Sequence, residues 1–515
     1  MIGIADLPET SSLPVLPMAD TETARARALA LHKETALGLD QPVVSQVEQI
    51  AASTPARTAI VDRNRHLTYA QLASEARRFA TFLHEAGVGP SSVVAVSGQR
   101  SAATASAFLA LELLGGIYLP IDASWPTRRV EDTLKRGFAS VVLLVGDESL
   151  IGSSVKHGAA EARCPVLRVH DAHRSAIWTE PPRLDSMDQP RYVLFTSGSS
   201  GHPKGAVVEH RGMLNHLFSK VHDLQLDGDD VVAQTASLGF DISVWQLLAP
   251  LLVGGRVHII ADDDARNAEK IATAIRDKGV TVLELVPTLI RLLLDTPEGL
   301  AAGAWPTLRW LLATGEELPA ELARRWLRTV PRTRLLNAYG PTECSDDVAH
   351  HEVTQDDLAL GRLPIGGPVS NTALYVLKLA GHMWQACAVG EPGELFVGGL
   401  GVGRGYVGDP ERTRASFFRD SFTDTGTGRL YRTGDAVRLL PQGVLQFLGR
   451  IDRQVKIAGT RIEPGEIEAV LNQHAAVAAS VVVVRNDTDD GISATSKPIK
   501  DRPEIGKDGA PLPGA

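Results

Sequence analysis

Cysteine is scarce in this chain. The three in 515 residues, Cys164, Cys344 and Cys387, are scattered singly, which excludes a disulfide framework and a paired-cysteine zinc site and suits a reducing cytosol. A basic excess is missing as well: the formal charge is −9, so there is no broad cationic surface for nucleic acid or an anionic membrane. No apolar run approaches membrane-spanning length, and the opening "MIGIADLPETSS" has no basic leader followed by an apolar core. Internal repeats are also lacking. These absences predict a soluble, cytoplasmic, unsecreted protein with neither nucleic acid nor membrane among its partners, and they favour small substrates.

What is present is a large hydrophobic fraction, 44%, in a chain too long for one ordinary core, so several subdomains are expected. Residues 1–40 mix Pro, Thr and Ser with an Ala/Arg-rich patch and read as an extension or linker with one short helix. From about residue 41, short apolar runs such as "SSVVAVSGQ" alternate with helical periods such as "AATASAFLALELLGG", the pattern of βαβ units in a doubly wound sheet. Beyond about Gly390, glycine-punctuated strands such as "GELFVGG" and "GVLQFLGR" predict a β-rich subdomain, with a boundary after Arg450. The stretch from Arg485 is rich in Asp, Pro, Gly and Lys and reads as loop or disorder. The expected organisation is an extension over 1–40, a core over 41–450 and a small C-terminal domain over 451–515.

One stretch, "YVLFTSGSSGHPKG" from Tyr192 to Gly205, carries the clearest chemical signal. An apolar strand that ends in hydroxyls and alternating glycines has the composition of an anion-cradling loop. Glycines let N–H groups turn inward, hydroxyls add donors, and the Lys204 ammonium supplies countercharge. The Walker pattern is not met, because Pro203 precedes the lysine and Gly205 follows it. Alone, such a loop is more often a plain linker.

Seven further segments share the look of functional loops: "LTYAQL", "GGIYLPID", "FDISVWQ", "NAYGPTE", "GELFVGGLGVGRGY", "YRTGD" and "GRIDRQVKIAGTRIEPGEIE". In this order the eight segments resemble the core motifs of amino-acid-activating adenylation domains of nonribosomal peptide synthetases, within the adenylate-forming superfamily. The resemblance spans roughly residues 41–470. It implies an α/β fold: a large N-terminal core of two doubly wound βα subdomains plus a β-barrel-like subdomain, then a short, truncated or interrupted, α+β C-terminal domain. It also implies ATP and Mg²⁺ as cofactors and a two-step reaction. An amino-acid carboxylate attacks the α-phosphate of ATP, releasing pyrophosphate, and a carrier-protein phosphopantetheine thiol then captures the acyl group.

Carried over residue by residue, the resemblance makes Thr196, Ser197, Gly198, Ser199, Ser200, Gly201 and Lys204 the loop on the β- and γ-phosphates. Glu343 becomes the Mg²⁺ ligand and Thr342 the α-phosphate contact, so catalysis is expected of Thr342, Glu343 and Lys204. Gly315, Asn337 and Tyr339 fall in the nucleotide site, with the Tyr339 ring on adenine. Asp435 would accept from both ribose hydroxyls, two acceptor oxygens against two donors. Arg450 would lie near ribose and phosphates and, with Asp452, begin the hinge to the C-terminal domain, whose first strand holds Lys456. Without the resemblance, Glu343 reads as a solvated loop acid, Tyr339 as a core aromatic and Asp435 as a turn cap.

For the amino acid, Asp241 matches the carboxylate that pairs with the substrate's α-ammonium; it also reads as a helix N-cap before "SVWQLL". The remaining pocket positions are Ile242, Trp245, Glu284, Leu312, Thr314, Ala338, Asp346 and Asp347. Three are acidic, and unpaired buried carboxylates are costly, so the pocket predicts a cationic side chain. Trp245 would shorten the cavity. The expected substrate is therefore a short basic amino acid, 2,4-diaminobutyrate first, then 2,3-diaminopropionate or ornithine, with arginine or lysine behind. The alternative places Asp346 and Asp347 on a solvated loop.

The family's ending, an Asn-Gly-Lys-like motif, is not matched. "EIGKDGAPLP" echoes it loosely and nominates Lys507, but too few residues separate it from "GEIE". No "GGxS" carrier segment is present, so the acceptor thiol is expected from a carrier protein in trans or in a longer chain, and an MbtH-like helper is a further candidate partner. The competing readings are an acyl- or aryl-CoA ligase of the same superfamily and a degenerate nucleotide-binding domain without turnover.

Overall fold

The computed structural model describes residues 7–496 apart from 147–152, 184–185, 199–202, 302, 424, 458, 473, 475–476, 478–479 and 486–492. Two compact units emerge. The larger runs to Thr196 and from Lys204 to Ile451; the smaller takes Ser197–Pro203 and the residues from Asp452.

In the larger unit, a seven-stranded sheet has five parallel strands at its heart: Ile117–Asp122, Val93–Gly98, Ala139–Val145, Val166–Arg168 and Pro190–Thr196. Runs such as "VVAVSG" are buried along their whole length, as expected of strands covered on both faces. The helix Ala102–Leu114, "AATASAFLALELL", is buried all round and stops at Gly115, whose φ of 69° suits glycine. Thr68 and Gln71 close a reciprocal capping box at the start of the helix Tyr69–Glu85.

A second sheet sets Thr58–Val61, Arg256–Ile259, Val231–Gln234, Val282–Leu285, Trp310–Ala313 and Arg334–Tyr339 parallel, side by side. It does not stop there. Ala349–Glu352 and Pro364–Pro368 add antiparallel strands, and the path continues through Leu445–Arg450, Arg429–Leu439, Pro392–Gly399 and Thr372–Ala380. The β-rich region is thus joined to the second sheet, and it begins well before Gly390. "TALYVLKLA" carries no glycine to mark it, which is why composition places the change too late.

The N-terminal segment is part of the larger unit rather than a free linker. Leu13, Leu16 and Ala26 are buried, and Leu31–Lys33 pairs antiparallel with Thr372–Leu374. The Trp384 N–H donates to the Pro17 carbonyl at 2.8 Å, and the Ala386 N–H to the Glu22 carboxylate at 3.0 Å. Edge strands leave backbone groups unpaired, and this segment covers one.

The smaller unit contains the hairpin Val455–Ile457 and Thr460–Ile462, the helix Pro464–Asn472 and the paired strands Val482–Arg485 and Ser493–Ser496. Lys456 lies exposed in the first of these strands. Lys507 lies outside the described residues. No helix among the described residues is long and apolar enough to cross a membrane.

Candidate functional site

Parallel strands deliver their loops to one edge, and the sequence candidates cluster there. Thr196 ends the strand Pro190–Thr196, and Lys204 begins the antiparallel return, directly opposite it. The Thr196 hydroxyl is buried without a hydrogen-bond partner, a donor waiting at the mouth of the loop. Ser197 and Gly198 continue that loop; Ser199, Ser200 and Gly201 lie outside the described residues.

Lys204 and Glu343 meet. Their Nζ and Oε1 are 2.8 Å apart, with side chains 9% and 0% exposed. Tyr406, wholly buried, sits between them: its hydroxyl donates to Glu343 Oε1 at 2.7 Å and accepts from Lys204 Nζ at 3.1 Å. The Lys204 ammonium also lies 4.9 Å from the centre of the Tyr406 ring. A buried carboxylate paired with a lysine suits a hard divalent cation, whose charge would replace that of the ammonium.

The nucleotide candidates form a second group. Asp435 faces Arg450 across the sheet, and the Arg450 guanidinium donates to Asp435 Oδ1 at 2.9 Å. The Tyr339 hydroxyl donates to Oδ2 of the same carboxylate. Both acceptor oxygens of Asp435 are therefore in use. The Tyr339 ring lies 6.1 Å from Phe447. Gly315 has φ 80°, a conformation that favours glycine. Asn337 is placed differently: it is 5% exposed and its amide donates to the Pro364 carbonyl at 2.7 Å, bracing two strands.

Between these groups the loop after Tyr339 folds sharply. A Cβ on Gly340 would stand 1.9 Å from the Asp346 carbonyl, so only glycine fits. Ser345 and Asp346 take φ of 68° and 93°, costly for non-glycine residues, and the Ser345 hydroxyl anchors the turn on the Gly401 carbonyl at 2.7 Å. Thr342 donates to Asp241 Oδ2 at 2.6 Å, and Asp241 caps the helix Ile242–Leu248 through the Ile242 N–H at 3.0 Å. The candidate α-phosphate contact and the candidate ammonium contact therefore touch.

Behind Asp241 lies the acidic pocket. Asp346 and Asp347 are 4% and 3% exposed, so they are buried rather than on a solvated loop. Glu284 and Leu312 are register partners on adjacent strands, Thr314 follows, and Ala338 lies on the next strand. Ile242 packs partly buried at the helix start. The Trp245 indole N–H donates to Glu284 Oε2 at 2.6 Å.

Sequence reasoning missed the bases in this pocket. Lys220, 0% exposed on the helix His210–Asp223, reaches Asp347 at 2.5 Å and Glu284 at 3.8 Å, and its ammonium lies 4.7 Å from the Trp245 ring centre. His350 contacts Asp347 at 3.2 Å and Asp223 at 2.9 Å, and Asp223 pairs with Lys33 at 2.8 Å. His216 Nε2 lies 3.2 Å from Asp346 Oδ2, yet neither atom has a hydrogen-bond partner. Ligand atoms of His216, Asp346 and Asp347 lie within 4.8 Å of one another. The only signal for Lys220 and His216 in the sequence is helical spacing, which puts them in the stripe of Met213, Leu217 and Leu224.

Protonation follows from these neighbours. Burial, and then the charges of Asp241 and Asp347, hold Asp346 well above the carboxylate range. Burial pushes Glu284 up to about 7, restrained by Lys220. Burial works against the Asp347 charge too, but Lys220 and His350 outweigh it and keep that carboxylate ionised. Burial, reinforced by Lys220, lowers His216 to about 3, so its ring is neutral.

Comparison with known proteins gives the family. The family model for the AMP-binding enzyme matches residues 47–407. Tyrocidine synthase 3 of Brevibacillus parabrevis is 35% identical over 92% of this chain, and malpinin synthetase of Mortierella alpina is 36% identical over 85%. The chain spans only 7% and 6% of the lengths of these two relatives. A solved structure of holo-PA1221, an NRPS protein containing adenylation and PCP domains, superimposes with TM-score 0.77 and 27% identity over 88% of this chain and 75% of that one. The chain belongs to the AMP-binding enzyme family, as an adenylation domain of the nonribosomal peptide synthetase type.

Proposed function

We propose that this domain activates a short amino acid with a cationic side chain, 2,4-diaminobutyrate first, for transfer to a carrier-protein thiol. In the first step a carboxylate oxygen of the amino acid bonds to the α-phosphorus of ATP, and the bond to the pyrophosphate oxygen breaks. In the second, a phosphopantetheine thiol attacks the acyl carbon and AMP leaves with the bonding pair. Asp241 would hold the α-ammonium, and Thr342, already bonded to Asp241, would set the carboxylate against the α-phosphate. Asp435 would exchange Tyr339 and Arg450 for the ribose hydroxyls, and Thr196 and Lys204 would take the outer phosphates. Mg²⁺, held by Glu343, would neutralise phosphate charge.

The observation that carries the side-chain reading is Asp346, buried, close enough to Asp241 to feel its charge, and with Oδ2 lacking a hydrogen-bond partner. An ammonium one short arm from the α-carbon would satisfy it. Burying Asp346 unpaired is unfavourable, so a cation should be selected over isosteres. A second reading rests on Lys220, which already lies against two of the three acids: a neutral hydroxyl side chain could bridge His216 and a protonated Asp346. The carrier partner is supported by the adenylation and PCP domains joined in holo-PA1221; an MbtH-like helper is a further proposed partner, tested by co-purification.

The test is ATP–pyrophosphate exchange across the proteinogenic amino acids plus 2,3-diaminopropionate, 2,4-diaminobutyrate and ornithine. 2,3-Diaminopropionate and 2,4-diaminobutyrate should exceed homoserine and methionine by at least tenfold. A homoserine or threonine winner supports the hydroxyl reading, and an acidic or large apolar winner removes both.

A further inference from the structure

We infer that Lys220 is a specificity-determining residue of the amino-acid pocket: it stands where the ammonium of a longer basic substrate would otherwise sit. The inference rests on reading this pocket as the amino-acid site, but not on which substrate the native protein prefers.

The argument begins with position. Within the helix His210–Asp223, Lys220 falls on the buried stripe, and its whole side chain is removed from solvent. A lysine so placed must be paired, and it is paired with pocket acids alone: Asp347 at 2.5 Å and Glu284 at 3.8 Å, over the face of Trp245. All three partners are positions that would line the amino-acid side chain. No strand or helix needs this ammonium as a cap, and its removal leaves the backbone hydrogen bonds intact.

Charge then decides what the pocket can accept. Lys220 and His350 share Asp347, while Glu284 has Lys220 and the Trp245 N–H. Asp347 is thus provided for by the chain itself, while Glu284 is paired through Oε2 and keeps Oε1 without a hydrogen bond, 3.8 Å from the ammonium. Asp346 is left facing a neutral His216, with no hydrogen bond between them. A side chain entering from Asp241 therefore finds the open acceptor of Asp346 near its start and, farther in, an ammonium that repels a second cation and already stands 3.8 Å from the other open acceptor, Glu284 Oε1. Length selection follows from charge rather than from the Trp245 ring alone, and the pocket refuses lysine and ornithine by electrostatic repulsion as well as by volume.

Removing the ammonium should invert this. In Lys220→Ala, Glu284 loses its cation, Asp347 keeps only His350, and a cavity of side-chain size opens beside them, so a substrate ammonium on a longer arm can take the vacated place. We expect pyrophosphate exchange with ornithine or lysine to rise at least tenfold in that variant, measured as kcat/KM, while exchange with the native substrate falls. A melting-temperature increase on adding ornithine or lysine, absent in the native protein, should accompany it, because a ligand that binds only the folded state stabilises it.

A well-folded Lys220→Ala whose activity falls uniformly over all substrates, with no new stabilisation by ornithine or lysine, would overturn the inference and leave Lys220 structural. If the single variant does not fold, Lys220→Met combined with Glu284→Gln and Asp347→Asn keeps volume and removes the charges. It should tolerate a neutral long side chain such as norleucine better than the native protein; no gain there also counts against the inference. Should the native protein prefer a neutral amino acid, the cationic-substrate proposal fails while the Lys220→Ala gain remains to be read independently.

Discussion

Tyr406→Phe isolates one oxygen atom at the junction of Lys204 and Glu343. The ring packs edge-on against Phe417, with centroids 5.5 Å apart, and phenylalanine keeps that contact. What is lost is a hydrogen bond of 2.7 Å to a buried carboxylate and one of 3.1 Å from an ammonium. Hydrogen bonds to charged groups contribute about 1.5–3 kcal/mol each, but the direct contact between Lys204 and Glu343 at 2.8 Å survives. The net loss should therefore lie near the low end, about 1.5–2 kcal/mol of stability. The hydroxyl also pins Oε1 of Glu343. Without it the carboxylate can rotate, and half-maximal pyrophosphate exchange should need about tenfold more Mg²⁺, the equivalent of about 1.4 kcal/mol. The assay is exchange against Mg²⁺ concentration, paired with a melting curve with and without Mg·ATP. Refutation would be an unchanged Mg²⁺ dependence beside the expected loss of stability, since Tyr406 would then be packing alone.

Asp241→Ala should abolish amino-acid activation while ATP still binds, because a charge-assisted partner of the α-ammonium, of about 2–5 kcal/mol, disappears; near-normal exchange would remove Asp241 from that role. Glu343→Gln keeps shape and loses charge, so exchange should fall far more than the melting temperature does, and survival with an ordinary Mg²⁺ dependence would place the metal elsewhere. Glu284 gives a pH test. Its folded value of about 7 lies above the ordinary 4.5, so the folded state holds a proton that the unfolded chain has released. That contribution is complete below about pH 4.5 and is lost as pH rises through 7. Glu284→Gln should lose less melting temperature between pH 5 and pH 8 than the native protein, and parallel curves would show that Glu284 does not titrate as described.

The sequence carries much of this site because its strand ends have distinctive neighbours in the chain. "YRTGD" and "GRID" lie fifteen residues apart from Asp435 to Arg450 and become opposite partners in one antiparallel pair, so the local pattern and the contact report the same geometry. The same holds where "TSGSSGHPKG" closes a strand pair and brings Lys204 opposite Thr196. Contacts between distant segments are another matter. Nothing near Thr342 points to Asp241, 101 residues earlier, and nothing near Asn337 says that its amide is taken by the Pro364 carbonyl. The pocket is where this matters most. Its acids sit in or beside conspicuous loops, whereas its cation comes from the last turn of a helix that no motif covers. The conspicuous positions therefore carry three acids and no base, and their charges alone point to a positive charge on the substrate. Helical periodicity corrects the sum: Leu217, Lys220 and Leu224 share one face, that face is buried, and a lysine on it must find carboxylates. A pocket's charge is a property of every element that surrounds it, so substrate preference has to be argued from the residual after internal pairing, which here is Asp346 beside His216 together with Oε1 of Glu284.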